Sequence, residues 1–149
     1  NIFSMALGAS EGLSNSNVSK KIREKNYLNT TATLLQQSIN EMVIFVEKLK
    51  GKKETVLGLA GVGDLYVSDK GGRNSKMGQY LGDGMSFKEA KKTKMPEDTI
   101  EGADLALEIG TKVKSDFDIK TLPLMIAVIN TICDEKPLSV AWANFKQHQ

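Results

Sequence analysis

The sequence predicts an all-α protein, and three observations lead to this prediction. No stretch alternates polar and apolar residues for long enough to form a β-strand. Residues 29–50 carry apolar side chains at helical spacing, and residues typical of helix starts and stops recur along the chain. The 149 residues, 40% hydrophobic and 26% charged, have globular composition and can form one core. We therefore expect a single bundle of roughly seven or eight helices.

The composition excludes several classes of protein. No apolar run approaches the roughly 20 residues that cross a bilayer, and no secretion signal opens the chain. The single cysteine, Cys133, excludes an internal disulfide, and with the single histidine, His148, it is too little for a zinc site. A net charge of +2 is too small to indicate nucleic acid or membrane binding. We expect no metal, no nucleic acid partner and no membrane span.

The first half of the chain predicts two long helices and a break. Residues 1–13 are small and apolar, which favours a buried helix ending near Gly12 and reads as the interior of an element of a longer protein. The polar residues 14–28 predict an exposed loop with at most one helical turn. Residues 29–50 predict a helix that ends at Gly51, and three glycines in residues 54–67 predict close packing or a break between two short helices. The expected core stripe of the long helix is Leu35, Ile39, Met42, Val46 and Leu49.

The second half predicts shorter helices. A glycine turn precedes a helix over residues 73–81, and Ser86 with Glu89 has the form of a capping box. Residues 98–101 have a related form and should open a helix that ends at Gly110. Two prolines fit the first turns of the last two helices. These are Pro123 and Pro137, and the last helix would show an apolar face of Leu138, Trp142 and Phe145.

Residues 72–74 combine the parts of an anion site. Only two of the 20 basic residues are arginines, Arg23 and Arg73, and a guanidinium binds phosphate through two bonds at once. A helix starting near Arg73 would offer free N–H groups and the positive end of its dipole, while Gly72 lets an anion approach and Asn74 adds an amide. The alternative, a solvated arginine after a glycine turn, is the commoner arrangement.

Two acidic residues each allow two interpretations. Asp64 follows glycine and valine, so it needs a cationic or hydroxyl partner, or else it caps a helix. Glu101 lies three residues after Asp98 and could complete a capping pair. The glycines at 61 and 63 do not form a dinucleotide-binding fingerprint, because Tyr66 stands where its third glycine belongs.

Taken in order, these segments resemble one family. Residues 61–65 read Gly-Val-Gly-Asp-Leu, residues 72–74 read Gly-Arg-Asn, residues 86–90 read Ser-Phe-Lys-Glu-Ala, and residues 100–102 read Ile-Glu-Gly. This pattern is similar to the C-terminal helical domain of the NAD(P)-dependent glycerol-3-phosphate dehydrogenases, and it covers nearly the whole chain. The resemblance implies that residues 1–149 form this one domain. The resemblance implies a multi-helix bundle of the type that forms the C-terminal domain of 6-phosphogluconate dehydrogenases.

The resemblance also implies a substrate site for dihydroxyacetone phosphate or sn-glycerol 3-phosphate. Arg73 and Asn74 would hold the phosphate. Gly72 replaces the family's serine and removes one hydroxyl from that site. Asp64 would orient the catalytic lysine, which the family carries directly before the asparagine that matches Asn1, and Asn1 would add a donor beside it.

On the cofactor side, the resemblance assigns Arg73, Thr99 and Glu101 to contacts with NAD or NADP. The cofactor would be bound mainly by an N-terminal Rossmann domain that these residues do not include. The implied reaction is hydride transfer between the nicotinamide and the substrate carbon. We expect the chain alone to be inactive, the enzyme to be cytoplasmic and a homodimer to be one further assembly.

Two other functions stay open from the sequence. The chain could be the helical domain of a related two-domain dehydrogenase that acts on a hydroxy acid or sugar nucleotide. It could also be a non-catalytic helical interaction module in which the glycines serve packing and Arg73 is solvated.

Overall fold

The computed structural model describes residues 1–14 and 20–139, with the backbone alone at 14 and 20–28. These ranges contain eight α-helices and one π-helical turn but no strand, which confirms the all-α prediction and the helix number. The elements are α1 (Ile2–Ser14), α2 (Lys20–Lys48), α3 (Lys53–Leu57), the π-helical turn (Leu59–Gly63), α4 (Asp64–Asp69), α5 (Arg73–Gly82), α6 (Phe87–Thr93), α7 (Glu101–Asp116) and α8 (Pro123–Cys133).

The closest helix crossing joins α1 to α5. Two glycines four residues apart on each helix form it, Gly8 and Gly12 on α1 and Gly78 and Gly82 on α5. A Cβ atom at any of them would lie only 2.0 to 2.1 Å from a carbonyl oxygen of the other helix, so only glycine allows this approach. The facing pairs are Gly8 with Ser75, Gly12 with Gln79, Met5 with Gly78 and Ala9 with Gly82. Since the pairs advance together, α1 and α5 run parallel and begin at the same end of the bundle.

The glycine-rich segment after α2 breaks into short pieces, as the sequence predicts. α3 ends at Leu57, the π-helical turn follows, and α4 begins directly after it at Asp64. Gly61 packs against α3, because a Cβ atom there would lie 2.1 Å from the carbonyl oxygen of Val56. The π-helical turn therefore sets where Asp64 begins its helix.

The buried face of α2 differs from the predicted stripe. Leu49 lies beyond the helix end and is 63% exposed, and the other predicted positions are only partly buried. Among residues 29–48 of α2, whose side chains the structure describes, the buried positions are Leu34, Gln37, Ser38 and Glu41. The prediction is wrong because three of these four side chains are polar and their hydrogen bonds are satisfied inside the bundle, which an apolar stripe cannot reveal.

Glu41 is the most consequential of these buried side chains. Its exposed fraction is 0%, and its two carboxylate oxygens accept from the backbone N–H groups of Leu124, at 2.8 Å, and Met125, at 2.9 Å. Gln37 donates a third hydrogen bond at 3.0 Å. Pro123 begins α8 and has no N–H, so Glu41 satisfies the next two free donors of that helix from outside it. Glu41 thus attaches α8 to α2.

Most other boundaries follow the sequence, with three corrections. α1, α5 and the Pro123 start of α8 are confirmed, and Ser86 Oγ accepts from the Glu89 N–H at 3.2 Å as the capping box predicts. The loop over 14–28 is wrong from Lys20 onward, where α2 begins. α7 begins at Glu101 without a side-chain cap and runs through Gly110 to Asp116.

The third correction concerns the end of the chain. Residues 135–139 are not helical, so Pro137 does not start a helix, although Leu138 packs against the core. Trp142 and Phe145 lie outside the described residues.

Gly110 does not end α7 because it faces α8, where a Cβ atom would lie 2.9 Å from Ile129 Cγ2 and 3.1 Å from Cys133 Sγ. Within residues 1–14 and 20–139, no helix has the length and apolar character needed to cross a membrane.

Replacing Gly78 with alanine should destabilise the protein. Alanine normally stabilises a helix relative to glycine by up to about 1 kcal/mol, so a loss here would report the crossing itself. Because the new Cβ would lie 2.1 Å from the Met5 carbonyl oxygen, we expect the free energy of unfolding to fall by about 3 kcal/mol in urea denaturation. Lys76→Ala, on the exposed face of the same helix, should change it by less than about 0.5 kcal/mol. An unchanged or increased stability of Gly78→Ala would contradict the close crossing.

Glu41 should make stability depend on pH. Burial raises the pKa of Glu41 from 4.5 to about 7, against its three hydrogen bonds. At a pH between these two pKa values, Glu41 is protonated in the folded protein and ionised in the unfolded chain. The free energy of unfolding should therefore fall by about 3 kcal/mol as pH rises between the two pKa values. Above the higher pKa, the contribution of Glu41 to stability should no longer change with pH. Urea denaturation at several pH values should show this slope in wild type and in Glu47→Gln, an exposed control on α2, but not in Glu41→Gln. A slope that persists in Glu41→Gln would assign it to another group.

Candidate functional site at three helix N-termini

Three helices begin at one end of the bundle. α1 and α5 start together because their close crossing is parallel, and α7 joins them through Asn74 and Gly102. The Gly102 N–H donates to Asn74 Oδ1 at 2.8 Å in a buried position. A Cβ atom at Gly102 would lie 2.8 Å from the carbonyl carbon and oxygen of Asn1, so the start of α7 also touches the start of α1. The positive ends of the α5 and α7 dipoles thus lie side by side next to Asn1, which favours a negative charge here.

Asn74 is the side chain that joins these helices. It is only 5% exposed, and its carbonyl oxygen accepts from Gly102 while its amide nitrogen donates to Glu101 Oε2 at 3.3 Å. Both ends of the amide are therefore used between α5 and α7. Asn74 fixes the position of Glu101 relative to the first turn of α5.

Arg73 forms an ion pair with Glu101. Arg73 Nη2 donates to Glu101 Oε1, and the two side chains are 50% and 40% exposed. Glu101 therefore does not complete a capping pair with Asp98, because it is the first residue of α7 and its carboxylate bonds to α5 instead. Arg73 is not simply solvated either, since one edge of its guanidinium is bonded and half of the side chain still faces solvent.

Asp64 and Asn1 lie in the same electrostatic environment. Burial lowers the pKa of the Asn1 amino group below 8.0, while the nearby carboxylates of Asp64 and Glu101 raise it. Gly63 precedes Asp64 as the cap residue of α4, so the capping interpretation of Asp64 is wrong. Asp64 is exposed rather than enclosed by apolar side chains, and a cationic or hydroxyl partner for it stays a prediction. Its carboxylate reaches solvent because α4 starts at the surface.

The remaining predicted residues lie at the edge of this group. Gly72 is the extended residue before α5, and a Cβ atom there would lie 2.5 Å from the carbonyl oxygen of Ser68. Glycine therefore suits this turn, where a serine side chain would require the backbone to move. Thr99 is exposed in the loop that leads into α7, two residues before Glu101.

Two residues at this end were not singled out from the sequence. Gly102 is needed for close contact with Asn1 and Asn74. Its place after Glu101 in the Ile-Glu-Gly motif is the sequence feature that could have identified it. Lys91 Nζ donates to the carbonyl oxygens of Met95, at 3.0 Å, and Pro96, at 2.8 Å. Lys91 thus holds the start of the loop that carries Thr99. A lysine in the last turn of a helix often binds the free carbonyl groups there, and this is the sequence feature that could have identified Lys91.

The described part of the chain has no group of three or more His, Cys, Asp or Glu side chains placed to hold a metal ion. The polar side chains gathered here are the guanidinium of Arg73, the amides of Asn1 and Asn74 and the carboxylate of Glu101, with the carboxylate of Asp64 nearby. Such a set can bind an anion through Arg73 and hydroxyl groups through the carboxylates.

Comparison with known proteins identifies the family. The family model described as NAD-dependent glycerol-3-phosphate dehydrogenase C-terminus matches residues 1–143. The chain therefore belongs to this family, which bears out the resemblance seen in its sequence motifs.

Individual relatives agree with this assignment. The chain is 33% identical over 121 residues to the NADP(+)-dependent glycerol-3-phosphate dehydrogenase of Archaeoglobus fulgidus, which covers 78% of this chain and 34% of the relative. It is 30% identical over 144 residues to a glycerol-3-phosphate dehydrogenase [NAD(P)+] of Agathobacter rectalis, which covers 95% of this chain and 38% of the relative. The chain thus spans well under half the length of these relatives.

A solved structure shares the fold. The crystal structure of glycerol-3-phosphate dehydrogenase from Coxiella burnetii superimposes with a TM-score of 0.69 and 28% sequence identity. The match covers 91% of this chain and 38% of that chain. The helical bundle described above is therefore a fold that this family uses.

Removing the Asn74 side chain should loosen the start of α7. Asn74→Ala leaves the buried Gly102 N–H without its acceptor, which should lower the free energy of unfolding by about 1–3 kcal/mol in urea denaturation. Hydrogen exchange of the Gly102 amide, followed by NMR, should become faster. Asn40→Ala loses only an exposed hydrogen bond from Gln36 and should change stability by less than about 0.5 kcal/mol. Equal effects of the two substitutions would show that Asn74 does not join the helices.

Proposed function

We propose that this chain is the substrate-binding domain, residues 1–149, of a cytoplasmic oxidoreductase that interconverts dihydroxyacetone phosphate and sn-glycerol 3-phosphate with NAD(P)H. The observation that carries the proposal is the placement of Arg73 and Asn74 where α5 and α7 begin beside Asn1. Membership of the glycerol-3-phosphate dehydrogenase family supports the substrate class. Neither a hydroxy-acid or sugar-nucleotide dehydrogenase nor a non-catalytic interaction module is favoured by the family match or by this arrangement.

The phosphate of the substrate would bind at Arg73 and Asn74. A phosphate dianion suits a guanidinium better than an ammonium, because the planar fork makes two parallel hydrogen bonds. The helix starts add free N–H groups and positive dipole ends around it. The extended Gly72 and the half-exposed Arg73 keep this approach open on the solvent side. Asn1 would add a polar group beside the reacting end of the substrate.

The acid–base part of the proposal concerns Asp64. Burial lowers the pKa of the Asn1 amino group, while the carboxylates of Asp64 and Glu101 oppose that shift by favouring a positive charge there. The proposal places the catalytic lysine directly before Asn1, so its ammonium would lie near these carboxylates. Asp64 would then orient the lysine, which gives a proton to the forming alkoxide or takes it back in the reverse direction.

The cofactor fits the polar edge of the site. Arg73, Thr99 and Glu101 all face solvent at least partly, and a guanidinium, a hydroxyl and a carboxylate suit the phosphates and hydroxyls of a nucleotide. When bound, the nicotinamide supplies or accepts the hydride. The proposal gives most of the cofactor contacts to an N-terminal Rossmann domain, as the greater length of the relatives supports. These 149 residues alone should therefore bind substrate without turning it over.

An apolar surface beside Asp64 supports a partner domain. Leu59 is 85% exposed, Val67 69% and Tyr66 59%, and all three lie on the π-helical turn or α4. Apolar side chains grouped on a surface commonly mark an interface. The proposal assigns this surface to the N-terminal domain, and a second copy in a homodimer is the other occupant. The cytoplasmic assignment fits the free thiol of Cys133.

Binding of sn-glycerol 3-phosphate to the 149-residue chain tests the proposal. Titration followed by NMR should shift the amide signals of Arg73, Asn74 and Gly102 with sn-glycerol 3-phosphate and with inorganic phosphate, but not with glycerol. Arg73→Ala should weaken both anions about tenfold or more, since a charge-assisted pair of hydrogen bonds is lost.

Lys88→Ala is the matched control. It removes a cation from an exposed ion pair with Glu135, on another part of the surface. Its affinity for phosphate should stay within about twofold of wild type, because distant exposed charges are screened by salt. Equal loss in both variants, or binding of glycerol as tight as that of its phosphate, would contradict the proposed phosphate site.

A further inference from the structure

Glu101 occupies the two groups to which the proposed function assigns the phosphate. Its Oε1 accepts from Arg73 and its Oε2 accepts from the Asn74 amide at 3.3 Å. One carboxylate thus bridges the guanidinium and the amide with its two oxygens, as two oxygens of a phosphate group would. The same carboxylate lies in the first turn of α7, where the helix dipole attracts a negative charge.

We propose that Glu101 is an internal competitor for the substrate phosphate: it holds Arg73 and Asn74 in the free protein and is displaced when the phosphate binds. This inference rests on the proposed function, because it concerns the same anion site. It gives Glu101 a regulatory role toward the substrate, in addition to the cofactor contact that the resemblance implies.

The partial exposure of the Arg73–Glu101 ion pair makes its displacement feasible. Arg73 is 50% exposed and Glu101 is 40% exposed, so water can reach both charges and the ion pair is weak. A phosphate dianion carries more charge than a carboxylate and makes stronger hydrogen bonds to a guanidinium. Glu101 is the first residue of α7 and is partly exposed, so its side chain can turn toward solvent when the phosphate replaces it.

Asn74 is suited to the exchange for a geometric reason. Its Oδ1 keeps the hydrogen bond from the Gly102 N–H at 2.8 Å whichever anion its amide nitrogen faces. The amide therefore stays oriented toward the anion position while the anion changes. Displacing Glu101 breaks one ion pair and one long hydrogen bond but leaves the contact between α5 and α7 in place.

Competition has a consequence for selectivity. The net binding free energy of a ligand at this site is its own interaction with Arg73 and Asn74 minus the interaction of the Glu101 carboxylate that it displaces. Weak anions, such as a monocarboxylate, offer no more than Glu101 already does, whereas a phosphate ester does. Glu101 therefore raises the minimum strength of anion that the site accepts.

Removing the negative charge of Glu101 tests the inference by a gain of affinity, which damage to the fold would not produce. Inorganic phosphate and sn-glycerol 3-phosphate are titrated separately into the 149-residue chain at fixed ionic strength and followed by NMR. Glu101→Gln should bind both about fivefold more tightly than wild type, the fold-change that corresponds to an exposed ion pair of about 1 kcal/mol. Acetate should also bind more tightly to Glu101→Gln than to wild type.

Glu108→Gln is the control for net charge, because it removes the same charge from an exposed position on the same helix. It should change phosphate affinity by less than about twofold, owing to screening by salt. Phosphate binding to Glu101→Gln that is unchanged or weaker than in wild type would overturn the inference and leave the proposed function standing. An equal gain in Glu108→Gln would also overturn it. If neither wild type nor Glu101→Gln binds phosphate, the proposed function itself is wrong.

Discussion

The parallel crossing of α1 and α5 is the constraint on which the rest of the molecule depends. Backbone meets backbone at four glycines, so the distance between these helices is set by main-chain atoms rather than by adjustable side chains. The crossing brings the start of α5, with Arg73 and Asn74, beside the start of α1. Gly102 then brings α7 to the same place by another close contact. The positions of Arg73, Asn74 and Glu101 follow from these backbone contacts.

Two carboxylates answer the same physical problem in different ways. Every helix start leaves free N–H groups and a positive dipole end that must be satisfied. Glu41 satisfies α8 from within the core, where it is fully buried and has three donors, so it is part of the permanent structure. Glu101 lies at the surface with one cation and one amide as partners. Similar chemistry is structural in one place and exchangeable in the other because burial differs.

The sequence predicts helices well where local signals decide them, as at Pro123, Ser86 and the glycine turn before Arg73. It fails where the tertiary structure decides. The core face of α2 contains Gln37, Ser38 and Glu41, whose burial depends on partners far away in the chain, such as the start of α8. Gly110 reads as a stop signal but is a packing position against α8. For the site, the order of the motifs identified Arg73, Asn74 and Glu101 as candidates. The ion pair between Arg73 and Glu101 could not be predicted, because it joins residues 28 positions apart and has no local sequence signature.

The π-helical turn between α3 and α4 limits how this region can change over time. Each residue of an α-helix rotates the chain by about 100°, so losing or gaining one residue before Asp64 would swing its carboxylate to another side of α4. Residue identity is free at the exposed Leu59 but not at Gly61, where a Cβ atom would lie 2.1 Å from the Val56 carbonyl oxygen. Chain length is constrained along the whole segment. Substitutions at Leu59 are consequently an open evolutionary route, whereas an insertion or deletion would turn the Asp64 carboxylate away from its present position.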